Sequence, residues 1–170
     1  MKKLDTVDAM PRVGIIGGSK NDFPVLKKAA ECLTSLGVAS EMRVISAHRT
    51  PDLAFEYARS AESRGLRIII AGAGGAAHLA GIVAALTHLP IIGVPIAAEP
   101  LRGIDALLSM VQMPSGIPVA TVAIGGAQNA ALLAAAILAL NDPPLRKRLM
   151  AYRNAQTQAV MQARVGSPPS

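Results

Sequence analysis

Aromatic side chains are nearly missing from this chain of 170 residues: it has no Trp, two Phe and two Tyr, 2% in all. That scarcity disfavours single-stranded nucleic-acid binding, where bases stack on exposed rings. It leaves the core to Ala, Ile, Leu, Val and Met, whose small side chains let helices lie close on a parallel sheet. Cysteine occurs once, as Cys32, which excludes an intramolecular disulfide and a cysteine-based metal cluster. It falls beside Leu33 and Leu36 in a helical pattern and is expected in the core. Charge is sparse as well, at 16% against 51% apolar residues, a balance that excludes disorder. One domain is expected at this length, two at most.

Acidic residues are absent from 143–170, which holds Arg146, Lys147, Arg148, Arg153 and Arg164 for a net +5, whereas 1–142 carries a net +1. Such a segment either binds nucleic acid or decorates a helix facing solvent or a neighbouring subunit, and the second reading leads. The opening MKKLDTVDAMPR has no apolar stretch resembling a signal peptide. Two long apolar runs, 68–86 and 117–140, are broken by Gly72, Gly74, Gly75 and His78, and by Gly125, Gly126, Gln128 and Asn129. Each reads as strand, glycine turn and buried helix rather than a membrane span. A protein of the reducing cytoplasm is expected, with no membrane or nucleic-acid partner.

What is present is an alternation. Strands are predicted at 12–17, 40–45, 66–71, 90–94 and 119–124. Helices are predicted at 22–36, at 50–64 with Thr50 as N-cap, and at 77–86, 103–110, 127–140 and 145–163. The helix over 127–140 is so apolar that burial on most sides is expected. Strands apolar on both faces, alternating with helices, predict a three-layer α/β fold on a parallel sheet. The organisation is a tail over 1–11, an α/β catalytic domain over 12–144, a C-terminal helix over 145–165 and a frayed tail over 166–170. Right-handed crossovers place every strand-to-helix loop at one edge of the sheet, where a ligand would bind.

Three of those loops carry polar groups. Gly17-Gly18-Ser19-Lys20-Asn21-Asp22 offers small residues and a hydroxyl at a helix start, suited to phosphate, with Asp22 placed for ribose hydroxyls or as a plain helix-start aspartate. It matches neither GxGxxG nor GxxxxGK[ST], so no dinucleotide or nucleoside triphosphate is specified. Ser46-Ala47-His48-Arg49-Thr50-Pro51 sets an imidazole that exchanges protons near neutral pH beside a guanidinium that grips phosphate. Ala71-Gly72-Ala73-Gly74-Gly75-Ala76-Ala77-His78 offers bare amides for an anion or carboxylate, and His78 at a helix start suits a neutral hydrogen-bonding role. His88, in the link Thr87-His88-Leu89-Pro90 at the opposite edge, reads as structural. No HxxxH or HxH spacing supports zinc, and no GxSxG elbow supports a serine hydrolase.

Together and in this order, GGSKND, VISAHRTPD, IIAGAGGAAHL, GVP, SMVQMPSGIPV and NAALLAAAIL resemble the N5-carboxyaminoimidazole ribonucleotide mutases of purine biosynthesis, also known as the catalytic subunit of phosphoribosylaminoimidazole carboxylase. The resemblance covers about residues 12–158. It implies a flavodoxin-like fold, a homo-octamer with sites at subunit boundaries, and a ribonucleotide substrate handled without metal or organic cofactor. It implies catalytic roles for His48 as acid/base and for His78. Substrate contacts are implied for Gly18, Ser19, Asn21, Asp22, Ser46, Ala47, Arg49, Gly74, Gly75, Ala76 and Leu79. Among these, Ser19 and Arg49 would take the 5′-phosphate, Asp22 the ribose, and the Gly74–Ala76 amides with His78 the carboxylate. The Gln112–Pro118 loop would reach a neighbouring subunit's site, and the last helix would pack on another subunit. The chain departs from the family pattern at Asn21, where a serine is usual, and at Ala80, where a proline is usual. The segment Gly125–Asn129 is shorter than usual, and Ala97-Ala98-Glu99-Pro100 lacks a common serine. Alternative readings are direct carboxylation of aminoimidazole ribonucleotide, or a diverged ribonucleotide-binding relative with little turnover.

Overall fold

The computed structural model describes residues 10–163. Five parallel strands, β1 (Val13–Gly17), β2 (Ser40–Val44), β3 (Ile68–Gly74), β4 (Ile91–Ile96) and β5 (Ala120–Thr121), pair in the order β2-β1-β3-β4-β5. Six helices accompany them: α1 (Phe23–Ser35), α2 (Pro51–Ser60), α3 (Leu79–Ala84), α4 (Ile104–Val111), α5 (Ala127–Leu138) and α6 (Pro143–Gln162). This is the doubly wound, flavodoxin-like order, in which the chain reverses direction across the sheet between β1 and β3. The expected tail over 166–170 and most of that over 1–11 lie outside the described residues.

The strand residues alternate between two cores, as the pleat requires. Ile15, Ile68, Ile70, Ile92 and Val94 face α1, α5 and the start of α6. Ile16, Ile69, Ala71 and Ile91 face α2, α3 and α4. In α5 the alanines at 127, 130, 131, 134 and 135 recur at helical spacing and form a single buried face against α1. The expected burial of this helix on most sides is therefore corrected: Leu133 and Leu140 stand exposed, the latter by 69%. Cys32 is buried as expected, and burial pushes its thiol up from the ordinary value.

Several element boundaries also differ from expectation. β3 runs through Gly74 because Gly72 and Gly74 pair with Val94 and Ile96. β5 keeps only two residues, although bonds from Val122 N–H to Gly93 and from Gly125 N–H to Pro95 carry the chain on beside β4. α2 stops at Ser60 and turns into the left-handed Gly65. Thr50 occupies its N-cap position without capping it, since the hydroxyl is spent on the Ser46 backbone.

Acid-free α6 uses its first arginines on helix ends. Arg148 Nε donates to Leu36 O at the C-terminus of α1 (2.7 Å), and Arg146 donates to Ala139 O and Leu140 O after α5. Cationic donors on exposed carbonyls satisfy the groups that every helix C-terminus leaves open. Asp142 accepts the Leu145 N–H and pairs with Arg12 at 2.7 Å; those two contacts hold its carboxyl below the usual range.

Candidate active site

A cleft of about 650 Å³ opens at the C-terminal edge of the sheet, at the β1/β3 reversal. Open α/β sheets bind ligands at such a point, because adjacent loops diverge there. Its walls are the loops that follow β1, β2, β3 and β4.

The β1 loop is rigid by its own hydrogen bonds. Ser19 accepts the Asn21 N–H (3.2 Å), while Asp22 Oδ2 accepts the Ser19 N–H (2.7 Å) and hydroxyl (3.2 Å). This reciprocal cap fixes the turn Lys20–Asp22 ahead of α1. Asp22 is only 8% exposed, yet it lines the cleft, and its Oδ1 has no protein donor among the described residues. Both readings of Asp22, helix start and ligand group, are open to it at once: one oxygen caps, the other is unclaimed.

The β2 loop closes on itself through Thr50 and Ser46, leaving His48 and Arg49 projecting outward. Ser46 Oγ accepts from Arg49 Nε (3.3 Å), and Arg49 NH2 donates to Gly18 O (2.8 Å). The guanidinium thus spans the β1 and β2 loops, a fixed cation at the cleft's mouth.

The β3 loop corrects an expectation. Gly72 and Gly74 are not bare-amide positions but points of close approach inside β3. A Cβ on Gly72 would meet Leu26 of α1 at 2.7 Å, and one on Gly74 would meet Ile96 O at 3.0 Å. Only Gly75 adopts a left-handed conformation (φ +63°), with open space where its Cβ would stand. The chain then turns through a bond from His78 N–H to Ala76 O (2.8 Å) and enters α3, shorter than expected, with His78 as its N-cap. His78 Nδ1 comes within 2.8 Å of His48 Nε2, the rings at 87° and 5.0 Å between centroids. No third metal-ligating residue joins the two among the described residues.

The cleft brings together Gly18, Ser19, Asn21, Asp22, Ser46, Ala47, His48, Arg49, Gly74, Ala76, His78 and Leu79 from the expected set. Gly75 is left outside the lining, facing open space at the turn. Ala73, Ile96, Ala97 and Ala98 line it too, beyond the contacts expected from sequence. The signal for the last three was topological, since they end a strand at the same edge. The arrangement holds a hydrogen-bonded pair of imidazoles, a fixed cation and a carboxylate against a floor of small apolar groups.

The family model described as AIR carboxylase matches residues 12–159. The chain is 55% identical over 153 residues to the N5-carboxyaminoimidazole ribonucleotide mutase of Thermotoga maritima, covering 90% of each chain. It is 60% identical over 162 residues to the bifunctional purine synthesis protein purC/E of Dictyostelium discoideum, covering 94% of this chain but only 16% of that much longer protein. The crystal structure of Treponema denticola PurE superposes with a TM-score of 0.81 at 30% identity, over 89% of this chain and 95% of that one. By sequence, by fold and by the loops that meet in its cleft, the chain belongs to the AIR carboxylase family.

Proposed function

We propose that the chain is a purine-biosynthetic isomerase that converts N5-carboxyaminoimidazole ribonucleotide into 4-carboxy-5-aminoimidazole ribonucleotide. The observation that carries this reading is the grouping of His48, Arg49 and Asp22 on one cleft, brought there by the loops after β1 and β2. Arg49 and Ser19 hold the 5′-phosphate, and the unclaimed Asp22 Oδ1 accepts from ribose hydroxyls. The ring then lies over Ala73, Ile96 and Ala97 toward His48.

The reaction breaks the bond from the exocyclic nitrogen to the carboxylate and forms one from that carboxylate to the ring carbon. His48 gives a proton to the nitrogen, which makes it a competent leaving group and releases CO2. The ring carbon attacks the CO2, and the neutral His48 removes the proton that this carbon carried. One imidazole within reach of both atoms ends as it began, so no cofactor is consumed. The Ala76 region and His78 keep the CO2 in place, because its escape would waste the intermediate.

We place the working enzyme in the cytoplasm as a homo-octamer, with α6 on a neighbouring subunit. Supporting this, Leu140, Met150, Val160 and Met161 stand exposed on α6 and the chain leading into it. No helix among the described residues is long and apolar enough to cross a membrane. The test is an assay of purified protein with the carbamate substrate and with aminoimidazole ribonucleotide, each with and without bicarbonate. Turnover of the carbamate at low bicarbonate is expected. Bicarbonate-dependent turnover of the uncarboxylated nucleotide alone would make the protein a direct carboxylase, and binding without turnover would make it a nucleotide-binding relative.

A further inference from the structure

The mechanism above moves its proton on one imidazole, yet a second ring lies within a hydrogen bond of it. His48 Nε2 and His78 Nδ1 are 2.8 Å apart, and no other hydrogen bond reaches either ring among the described residues. A contact this short needs an N–H on one side and a lone pair on the other. Two cationic rings would each aim a proton at the other, so this arrangement accommodates at most one. When His48 carries the proton it needs as an acid, both its nitrogens bear hydrogen. Its Nε2–H must then be the donor, His78 Nδ1 the bare acceptor, and the only proton of His78 must sit on Nε2. The direction of the bond, open for two neutral rings, is fixed once the acid is loaded.

No charged group bonds to either ring among the described residues. Arg49, on the loop after β2, is turned to Gly18 O and Ser46 Oγ, and Asp22, on the turn after β1, to Ser19. Ala97 and Ala98, from the loop after β4, bring no charge to the cleft. Both rings are exposed and each is the other's one hydrogen-bond partner among the described residues. The His78 backbone is tied at both ends, N–H to Ala76 O and O to Ile82 N–H, so its ring is presented to His48 from an anchored helix start.

We propose that His78 is a positioning residue whose Nδ1 holds the transferable proton on Nε2 of His48, the ring tip that reaches into the cleft. The substrate nitrogen takes the place of Nδ1 on that proton. His78 is left neutral, with its Nε2–H free to donate to the departing carboxylate. This rests on the acid/base role of His48 given above, but it has a spectroscopic test that needs no turnover.

That test is 15N NMR of the ligand-free protein labelled at histidine, with signals assigned by His48→Asn and His78→Asn. Expected is a state in which His48 is protonated on both nitrogens while His78 shows a bare Nδ1 and a protonated Nε2. Both rings protonated together in the folded protein, or His78 protonated on Nδ1 beside a cationic His48, would overturn it. The kinetic arm compares His78→Asn, whose amide oxygen can stand in for Nδ1 as acceptor, with His78→Leu, which offers none. His78→Leu is expected to lose about a hundredfold in kcat with little change in KM, and His78→Asn to recover most of that loss. Equal losses in the two variants, or a loss confined to KM, would overturn the positioning role and leave His78 a plain carboxylate contact. Normal turnover in His48→Asn would instead remove the mechanism above, while the NMR result would still decide the pairing.

Discussion

Two polar clusters sit at opposite edges of the same sheet, and they are built in opposite ways. At the N-terminal edge, Glu41 Oε1 accepts from both the Tyr57 hydroxyl and Arg64 NH1, each at 2.7 Å, with the guanidinium stacked 4.6 Å over the tyrosine ring. Tyr57, the one fully buried aromatic among the described residues, has room only because Gly14 lacks a Cβ, which would overlap its hydroxyl. At the C-terminal edge, His48, Arg49 and His78 stand exposed, with hydrogen-bonding capacity left over. The first cluster spends most of its polar groups on one another, Arg64 NH2 staying buried without a partner, and ties β2 to α2 and the turn after it. The second keeps them available, as the proposed binding and proton transfer require.

The contrast predicts which kind of damage each edge suffers. The largest effect is expected from His48→Asn, which removes the transferable proton: kcat should fall by about 10²–10⁴-fold while nucleotide binding by calorimetry persists. Arg49→Ala should come next, raising KM by roughly 10–100-fold through loss of a charge-assisted phosphate contact of about 1.5–3 kcal/mol, with the unfolding midpoint almost unmoved. Glu41→Leu should do the reverse. Leaving the Tyr57 hydroxyl and the Arg64 guanidinium without their acceptor should cost about 1–3 kcal/mol in denaturant unfolding, with kcat intact. The smallest effect is expected from Arg148→Ala, which uncaps Leu36 O and should lower Tm by about 2–4 °C.

The N-terminal cluster also gives a sign for pH. Burial alone would push the Glu41 carboxyl up, but the hydrogen bonds from Arg64 and Tyr57 outweigh it and hold it below the ordinary value. A carboxyl lowered by folding stabilises the fold at neutral pH and loses that contribution as the pH falls through its folded value. The Tyr57 hydroxyl is pushed up, first by burial and then by Glu41, so its contribution persists below the ordinary tyrosine value of about 10 and fades above it. Glu41→Gln should therefore flatten the acid side of the unfolding profile. An unchanged acid side would place the pH dependence elsewhere.

Much of this organisation was legible in the sequence. Alternating strands and helices imply the layers, and strand-end placement puts His48, Arg49, Asp22 and Ser19 at one edge. What was not legible depended on neighbours distant in sequence. Gly72 and Gly74 read as an anion loop, but their lack of a Cβ serves packing against Leu26 and Ile96, which a local pattern cannot reveal. The Glu41–Tyr57–Arg64 cluster joins a strand, a helix and the turn after it, and no spacing announces it. The basic segment read as surface, whereas Arg146 and Arg148 reach back to helix ends, the latter 112 residues away. The His48–His78 contact is implied by the sequence only as co-location; the 2.8 Å bond joins loops 30 residues apart.

In the proposed reaction, carbon dioxide leaves one atom and joins another without quitting the cleft lined by His48 and His78. The most direct measurement supplies carbamate substrate labelled at its carboxyl carbon, in excess unlabelled bicarbonate, and follows the label into the product. Retention of the label in 4-carboxy-5-aminoimidazole ribonucleotide is the predicted result. Product carrying carbon from the bicarbonate pool would contradict confinement and with it the proposed use of this cleft.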